Sequence, residues 1–428
     1  MKFNQHQDTE KSFIIKVILL FWFIRIFKPE WIVSYYIPAL NFLKPIPTIL
    51  LIIFFMYLVF TTKKIRYDKP LLFFLLVVTV STFFSANRGI SLGILRGISE
   101  TFIIYCVMMT ALSADVSIKR LFIIYMLAFA FFGIWGIIEG GKIRAFMPLD
   151  NEDSFGPFMC IGIPFAFYIQ HIYENKLVKN LCFITFSICL VGAVVSFSRG
   201  AFLSLLVVLI ILFIRSDNKI KSFTHAILFG IICSIILYVF IPNFYMKYEN
   251  EMSTIWEQGT REQTAKDRIY LWTKAFNMFS DYPLVGIGPG CFGFRLPRYS
   301  DRLDVERWGV RYQTFGRHIH NIYIQIIAEM GLLGIIAFSA MLYYFWKRNL
   351  LARSSSKGDT KEKNVRDRQS NLLTGVGRVT YYYSLAVEGG MIAFLANAFF
   401  FNLLYFTWFW DLLILNSLLC QMMSEIES

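Results

Sequence analysis

The stretch GAFLSLLVVLIILFI at residues 200–214 contains a single polar side chain, Ser204, and decides the fold class. Similar runs recur along the 428-residue chain, which is 56% hydrophobic and 18% aromatic, with a mean hydropathy of +0.54. This composition is too apolar for a soluble domain of that length. In lipid, backbone groups are satisfied only in helices or closed barrels, and continuous apolar runs exclude the alternating pattern of a barrel. We therefore predict an all-α polytopic membrane protein.

The apolar runs predict about twelve transmembrane helices, because a helix crosses the hydrocarbon core in about 20 residues. The runs fall near residues 13–27, 31–60 (with the span itself from about 46), 70–85, 90–112, 119–138, 155–173, 179–197, 200–214, 222–241, 321–346, 382–406 and 408–423. This pattern divides the chain into an N-terminal bundle of about nine spans at 1–241, a polar loop domain at 242–320, and C-terminal helices at 321–428 with a basic loop at 347–378.

Lysine and arginine in the short loops predict the orientation, since they stay on the cytoplasmic side. The basic loop at 347–378 and the loops near residues 63–69, 119–120, 176–179 and 215–221 fall on one side. Both termini are then cytoplasmic, and the 242–320 loop lies on the outer side of the membrane. The net charge of +13 is explained by this topology, and we expect no nucleic-acid partner, because such a partner needs a basic soluble face with interleaved aromatics.

Several basic side chains converge on the predicted outer face, with no matching run of acids on that side. They are Arg96, Arg199, Arg268, His318 and His320. Charges beside a span usually line a polar cavity or pair with an anion, and the arginine fork suits phosphate oxygens. The pattern indicates an anionic ligand. The alternative for Arg96 and Arg199 is snorkelling to the headgroups.

The histidines predict general-base chemistry, since an imidazole with an ordinary pKa accepts a proton from a hydroxyl at neutral pH. A histidine that merely caps a helix start is the structural alternative for His320. A metal is the other alternative, because His318 lies close by. The remaining histidines, His6, His171 and His225, fall on the predicted inner side, so a three-histidine zinc site cannot form outside and we expect no metal.

The polar loop carries its own helix signal. From Lys266 to Asp281, apolar residues recur at helical spacing, which predicts an amphipathic helix along the membrane face. We attribute the apolar stripe to packing. Its members are Ile269, Trp272, Phe276 and Phe279. Arg268 shares a side of this helix with Trp272, one turn away.

Three shorter features have local explanations. The run Gly286-Ile-Gly288-Pro-Gly290 predicts a turn rather than a dinucleotide site, because no strand precedes it. Arg96 can pair with Glu100 across one helical turn, and Arg25 with a neighbouring helix. The polar residues 150–153 are either a solvated loop or a contact for sugar.

An ordered set of motifs between about 195 and 340 resembles the O-antigen ligase and polymerase superfamily. The set consists of Ser198-Arg199-Gly200-Ala201, Asp267-Arg268 with Trp272, Tyr282-Pro283-Leu284-Val285-Gly286-Ile287-Gly288, His320-Asn321, and Glu329-Met330-Gly331-Leu332-Leu333-Gly334. The rest of the chain resembles the family only in its number of spans.

The resemblance implies a bacterial inner-membrane glycosyltransferase of the GT-C type. Its donor is a glycan on undecaprenyl diphosphate, its acceptor is a sugar hydroxyl at the periplasmic face, and no cofactor is required. Arg199 and Arg268 correspond to arginines that contact the diphosphate, and His320 to the essential histidine. Arg96 resembles a further arginine. His318, Asn321 and Trp272 are additional candidates.

Alternative activities share these residues. A ligase transfers the glycan to an acceptor such as a lipid A core sugar, a polymerase joins it to a second lipid-linked glycan, and some relatives glycosylate proteins. A transporter is the non-enzymatic alternative, and it predicts ionisable residues and broken helices near the bilayer midplane.

Overall fold

The structure is a computed structural model of the chain, and it describes residues 2–62, 64–112, 116–215, 258–300, 315–356, 375–402 and 404–427, together with Met246 and Glu249. The predicted span at 222–241, much of the 242–320 loop and residues 357–374 of the basic loop lie outside the described residues.

The described residues form helices joined by turns, with no strand among them. The α-helices are α1 (Lys2–Phe27), α2 (Pro29–Tyr36), α3 (Ile46–Thr61), α4 (Lys69–Phe83), α5 (Arg88–Ala111), α6 (Val116–Ile138), α7 (Glu152–Ile169), α8 (Lys176–Val195), α9 (Arg199–Arg215), α10 (Gln258–Asp281), α11 (Phe292–Arg295), α12 (Ile322–Ser356), α13 (Gly375–Ala398) and α14 (Thr407–Glu427). Short 3₁₀ helices span Pro38–Leu43, Met147–Leu149 and Leu296–Tyr299. The all-α prediction is confirmed for this part of the chain.

Five helical segments are long and apolar enough to cross a membrane. They are Pro38–Thr61, Arg88–Ala111, Ile118–Ile138, Lys176–Val195 and Ile322–Ser354. Of the other predicted crossings, α4 is a shorter apolar helix, and α1, α13 and α14 are long helices that are not apolar enough throughout to be counted. The predicted crossing at 222–241 lies outside the described residues. A membrane protein with several spans is therefore supported, and the number of about twelve stays a prediction.

The centre of the bundle is α7, which is buried almost throughout and packs most extensively against α8 and α13. Gly156 lies in its first turns, where an added Cβ would come within 2.5 Å of the Ser196 hydroxyl and 2.6 Å of the Ala201 side chain. Small residues allow such close approach between helices in membranes. The start of α7 is therefore held against the turn that joins α8 to α9.

The loop that follows α10 packs into a break in α12. Gly331 has a φ of +62° and a ψ of −155°, which interrupt the helix. The Leu332 N–H donates to the carbonyl of Pro283 at 2.8 Å, and the Gly288 N–H donates to the carbonyl of Glu329 at 3.0 Å. An added Cβ at Gly331 would lie 2.6 Å from the loop backbone. Glycine is required here by conformation and by space.

The Glu329 carboxylate holds this junction from within the core. Its side chain accepts hydrogen bonds from the Tyr405 hydroxyl (2.7 Å), the Gly290 N–H (2.9 Å) and the Gln325 amide (3.1 Å). Only 2% of Glu329 is exposed. A buried carboxylate is tolerated when several donors satisfy it. The predicted turn at Gly286–Gly290 is thus present and is anchored to α12.

The predicted amphipathic helix is present as α10, but its packing face differs from the expected one. The buried residues are Tyr270, Leu271, Ala275 and Met278. Ile269 and Phe276, which we assigned to packing, are 48% and 47% exposed. The interpretation of the stripe was wrong at these positions because α10 carries apolar residues on more than one side. The spacing rule identified the side that faces outward.

Two predicted pairings are confirmed. The Arg25 guanidinium donates to the Asp411 carboxylate of α14 at 2.6 Å, and both side chains are buried. The Arg96 guanidinium contacts the Glu100 carboxylate at 2.9 Å on the surface of α5.

Candidate active site

A cavity of about 490 Å³ lies where α7 and α9 begin, beside α10 and the loop that enters α12. It is lined by Glu152, Asp153, Ser196, Phe197, Ser198, Arg199, Gly200, Asp267, Arg268, Leu271, Arg317, His320 and Phe401. Three predicted site residues therefore share one space: Arg199, Arg268 and His320. Each is more than fifty positions from the next in the chain.

The turn between α8 and α9 presents Arg199. Phe197 has a φ of +52°, and the Ser198 N–H donates to the Ser196 hydroxyl at 3.3 Å. Arg199 is the first residue of α9 and is exposed. The dipole at a helix start favours a bound anion. The positive guanidinium of Arg199 therefore lies at the positive end of the helix dipole.

Arg268 lies on α10, with its guanidinium carbon 5.7 Å from the centre of the Phe400 ring. Burial lowers its pKa, and the positive charge of Arg199 acts in the same direction, whereas Asp153 opposes it. Arginine nevertheless keeps its charge in proteins. Two repelling cations in a partly buried cavity are stabilised when an anion binds between them.

The loop that carries His320 is clamped on both sides. The Trp272 indole N–H donates to the Ile319 carbonyl at 3.1 Å, and the Gly316 N–H donates to the Gly293 carbonyl at 3.2 Å. The Ile319 side chain is fully buried. Trp272 does not line the cavity and holds the histidine loop in place.

Asn321 also has a positioning role. Its side-chain oxygen accepts from the Ile324 N–H at 3.1 Å and caps α12, and its amide donates to the Phe399 carbonyl at 3.3 Å. Asn321 is 4% exposed and does not line the cavity. Asparagine is among the preferred helix N-caps. The residue fixes the exit of the loop directly after His320.

His320 adopts an uncommon backbone conformation with a φ of +55°. Among described residues, three non-glycine positions have positive φ, and two of them, His320 and Phe197, line this cavity. Such conformations cost about 1–3 kcal/mol and cluster at functional sites. The strain is located at the two turns that aim side chains into the cavity.

The pKa of His320 is lowered to about 4, first by burial and then by the positive charges of Arg268, His318 and Arg317. At neutral pH its imidazole is therefore uncharged, and one ring nitrogen can accept a proton.

Three carboxylates share the cavity with the arginines. They are Glu152, Asp153 and Asp267. The basic residues on this face have no matching run of acids, but single carboxylates at the start of α7 and next to Arg268 share the cavity with them. Glu152 is paired with Lys142 at 2.9 Å. Of residues 150–153, Glu152 and Asp153 line the cavity, and their contact with sugar stays a prediction.

Arg317 is a cavity residue that the sequence analysis missed. It stands three positions before His320, and its guanidinium contacts the Asp267 carboxylate at 3.2 Å. Its position beside a candidate histidine was the available signal.

Besides Trp272 and Asn321, two further predicted residues lie outside the cavity. Arg96 is 64% exposed on α5 and is paired with Glu100. His318 is exposed, with its ring centre 6.5 Å from that of His320. No group of three or more histidine, cysteine, aspartate or glutamate side chains suited to a metal ion occurs within the described ranges.

Comparison with known proteins agrees with the motif resemblance. Residues 184–339 match the O-antigen ligase family model, and this segment contains Arg199, Arg268, Arg317 and His320. The resemblance predicted from the ordered motifs at about 195–340 is therefore confirmed for this segment.

Two relatives illustrate the similarity. A stretch of 151 residues is 27% identical to the exopolysaccharide production protein ExoQ of Rhizobium meliloti (strain 1021), and it covers 34% of this chain and 31% of that protein. A stretch of 138 residues is 25% identical to a protein of Rickettsia bellii (strain RML369-C) named "Putative polysaccharide ligase", and it covers 32% of each. The matched stretches span about a third of the length of these relatives.

Proposed function

We propose that this chain is a membrane glycosyltransferase. In this proposal it transfers a glycan from an undecaprenyl-diphosphate carrier to a sugar hydroxyl at the periplasmic face of the bacterial inner membrane. The observation that carries the proposal is the single cavity that contains Arg199, Arg268 and His320. The match of residues 184–339 to the O-antigen ligase family supports it.

The proposed reaction is a displacement at the anomeric carbon of the donor sugar. The acceptor hydroxyl oxygen forms the new glycosidic bond while the bond between that carbon and the diphosphate oxygen breaks. His320 takes the proton of the hydroxyl, and undecaprenyl diphosphate leaves with the bonding electrons. Arg199 and Arg268 stabilise the charge that develops on the leaving group.

The neutral state of His320 fits this assignment, although its pKa of about 4 makes it a weak base in the empty cavity. A bound diphosphate adds negative charge beside Arg268, one of the cations that lower this pKa. Opposite charge favours the protonated imidazole. Donor binding is therefore expected to raise the pKa of His320 toward the value that base catalysis needs.

The test uses the purified chain in lipid nanodiscs, a defined undecaprenyl-diphosphate glycan, candidate acceptors, and product mass as the readout. His320→Ala should reduce transfer by about 10²–10⁴-fold, the usual contribution of a general base. His318→Ala is the matched control, since that ring is exposed and outside the cavity. Equal transfer by wild type and His320→Ala would refute the proposal.

Ligase and polymerase activities use the same residues and differ in the acceptor. A gel of surface polysaccharide from a deletion strain separates them. Loss of attachment with long chains retained on the carrier identifies a ligase, and single repeats on the surface lipid identify a polymerase. The family match favours the ligase.

A further inference from the structure

Arg317 is a third arginine in the cavity. It lies outside the quoted motifs, and the sequence analysis assigned it no role. It shares the cavity with Arg199, Arg268 and His320. Its side chain is 23% exposed, so part of it is accessible to a ligand in the cavity.

The backbone at Arg317 is fixed by its surroundings. An added Cβ at Gly293 of α11 would lie 2.8 Å from the Arg317 carbonyl oxygen, so α11 packs directly against this loop. Two residues later, Ile319 is buried and its carbonyl accepts the Trp272 hydrogen bond. The same clamp therefore positions Arg317 and His320, and any ligand held by one is set in place relative to the other.

The guanidinium of Arg317 is only partly used. Its Nη2 contacts the Asp267 carboxylate at 3.2 Å, a long distance for a charge-assisted hydrogen bond. Its Nη1 is buried and has no hydrogen-bond partner within the described part of the chain. An arginine offers five donors in a rigid fork that matches phosphate oxygens in pairs. Arg317 lines a cavity that already holds two other arginines, so a turn of its guanidinium would bring the unused donor to a ligand there.

Asp267 is the neighbour of Arg268 in the chain and faces the same cavity. A diphosphate oxygen held by Arg268 must therefore approach the carboxylate of Asp267, which repels it. When Arg317 turns from the carboxylate to the phosphate, it gives up its long contact with Asp267 and gains hydrogen bonds to the diphosphate. The ion pair keeps Arg317 oriented while the cavity is empty.

We propose that Arg317 is a third donor-binding arginine, which exchanges its contact with Asp267 for an oxygen of the lipid-linked diphosphate. This inference rests on the proposed function for the identity of the ligand. Asp267 then competes with the donor for Arg317 and so lowers the affinity of the cavity for the lipid-linked diphosphate.

The experiment measures binding of farnesyl diphosphate, a short-chain polyprenyl diphosphate, to the purified full chain by titration calorimetry. Arg317→Gln should weaken binding by about 10–100-fold, as expected for loss of hydrogen bonds to a charged group. Arg317→Lys should recover part of the affinity, since it restores the charge without the fork. Arg298→Gln is the control, because Arg298 is exposed on the same region of the chain and lies outside the cavity.

A double-mutant cycle separates competition from a general charge effect. Asp267→Asn should raise the affinity for farnesyl diphosphate by about 3–10-fold in the wild-type background and by clearly less in Arg317→Gln, because the competition acts through Arg317. If Arg317 serves only to neutralise Asp267, Asp267→Asn should instead raise the affinity more in Arg317→Gln than in wild type, because the carboxylate has lost its partner there.

Wild-type affinity in Arg317→Gln, or an equal gain from Asp267→Asn in both backgrounds, overturns the inference. Glycan transfer assayed in parallel keeps the two proposals apart. If wild type transfers glycan and Arg317→Gln matches it in both binding and transfer, the role of Arg317 fails and the proposed function stands. If His320→Ala transfers like wild type, the proposed function fails whatever the binding data show.

Discussion

The two ends of α9 carry the same side chain in opposite environments. Arg215, at the carboxyl end, donates to the buried Glu388 carboxylate at 2.9 Å, and Arg353 of α12 contacts the same carboxylate at 2.7 Å. Arg199, at the amino end, is exposed in the cavity. The helix dipole favours a cation at the carboxyl end and disfavours one at the amino end.

This comparison shows how one residue type serves stability at one site and ligand binding at another. Two arginines share the carboxylate of Glu388, which is almost fully buried. The dipole of α9 also favours the positive charge of Arg215 at its carboxyl end. In the cavity, three arginines face an open space of about 490 Å³. An anion that binds between Arg199 and Arg268 relieves the repulsion between them. The two arginines around Glu388 already share a carboxylate and have no such repulsion to relieve.

The largest expected difference between the cavity at the amino end of α9 and the Glu388 cluster at its carboxyl end concerns catalysis. Arg268→Ala should lower the rate of glycan transfer by about 10²–10³-fold, since it removes a charge that stabilises the leaving diphosphate. The fold should be retained, as checked by size-exclusion profile and melting temperature. The comparison breaks down if this variant loses its melting transition instead of its transfer activity.

The opposite outcome is expected at the other end. Glu388→Ala should destabilise the protein by about 3 kcal/mol, because it leaves two partly buried arginines without their shared carboxylate. Denaturant titration in detergent measures the loss. Glu100→Ala is the control, because its pair with Arg96 lies on the surface, where ion pairs contribute about 0–1 kcal/mol. A stable Glu388→Ala protein would show that the cluster does not stabilise the bundle.

The pH dependence of glycan transfer tests the electrostatic environment of His320 in the cavity. The kcat/KM for the donor reports the free enzyme, so its acid limb should lie near pH 4 and not near 6.5, with activity lost as His320 becomes protonated. His318→Gln removes a positive charge that lowers this pKa and should move the limb to higher pH by a few tenths of a unit. A wild-type limb near 6.5 contradicts the assigned environment.

The smallest effect is expected at Arg96. Arg96→Gln should change kcat/KM by less than about threefold, since the side chain is paired with Glu100 outside the cavity and surface pairs contribute little. The transfer assay with Arg199→Gln as the comparison variant measures this difference. A loss comparable to that of Arg199→Gln would place Arg96 in contact with the donor.

Local features were predictable because neighbours in the chain determine them. The spacing at 266–281 predicted a helix that forms as part of α10, and the glycines at 286–290 predicted the turn. The Arg96–Glu100 pair followed from one helical turn. The docking of the turn onto Glu329 and the break at Gly331 was not predicted, since it joins segments about forty residues apart through backbone hydrogen bonds.

The composition of the cavity was predicted only in part. His320, Arg199 and Arg268 followed from the motifs and from their positions near span ends. Asp153 and Arg317 did not, because nothing in the sequence indicates that the start of α7 approaches α9 through Gly156, or that Arg317 shares the cavity with the neighbour of Arg268.

By itself, the sequence determined that the chain is a helical membrane protein and which basic residues are candidates, because apolar runs and helical spacing act over one helix length. Only the tertiary structure decided which arginines are neutralised and which share a cavity with His320. That distinction depends on carboxylates brought from distant helices, and the strength of each pair depends on burial, which no single segment determines.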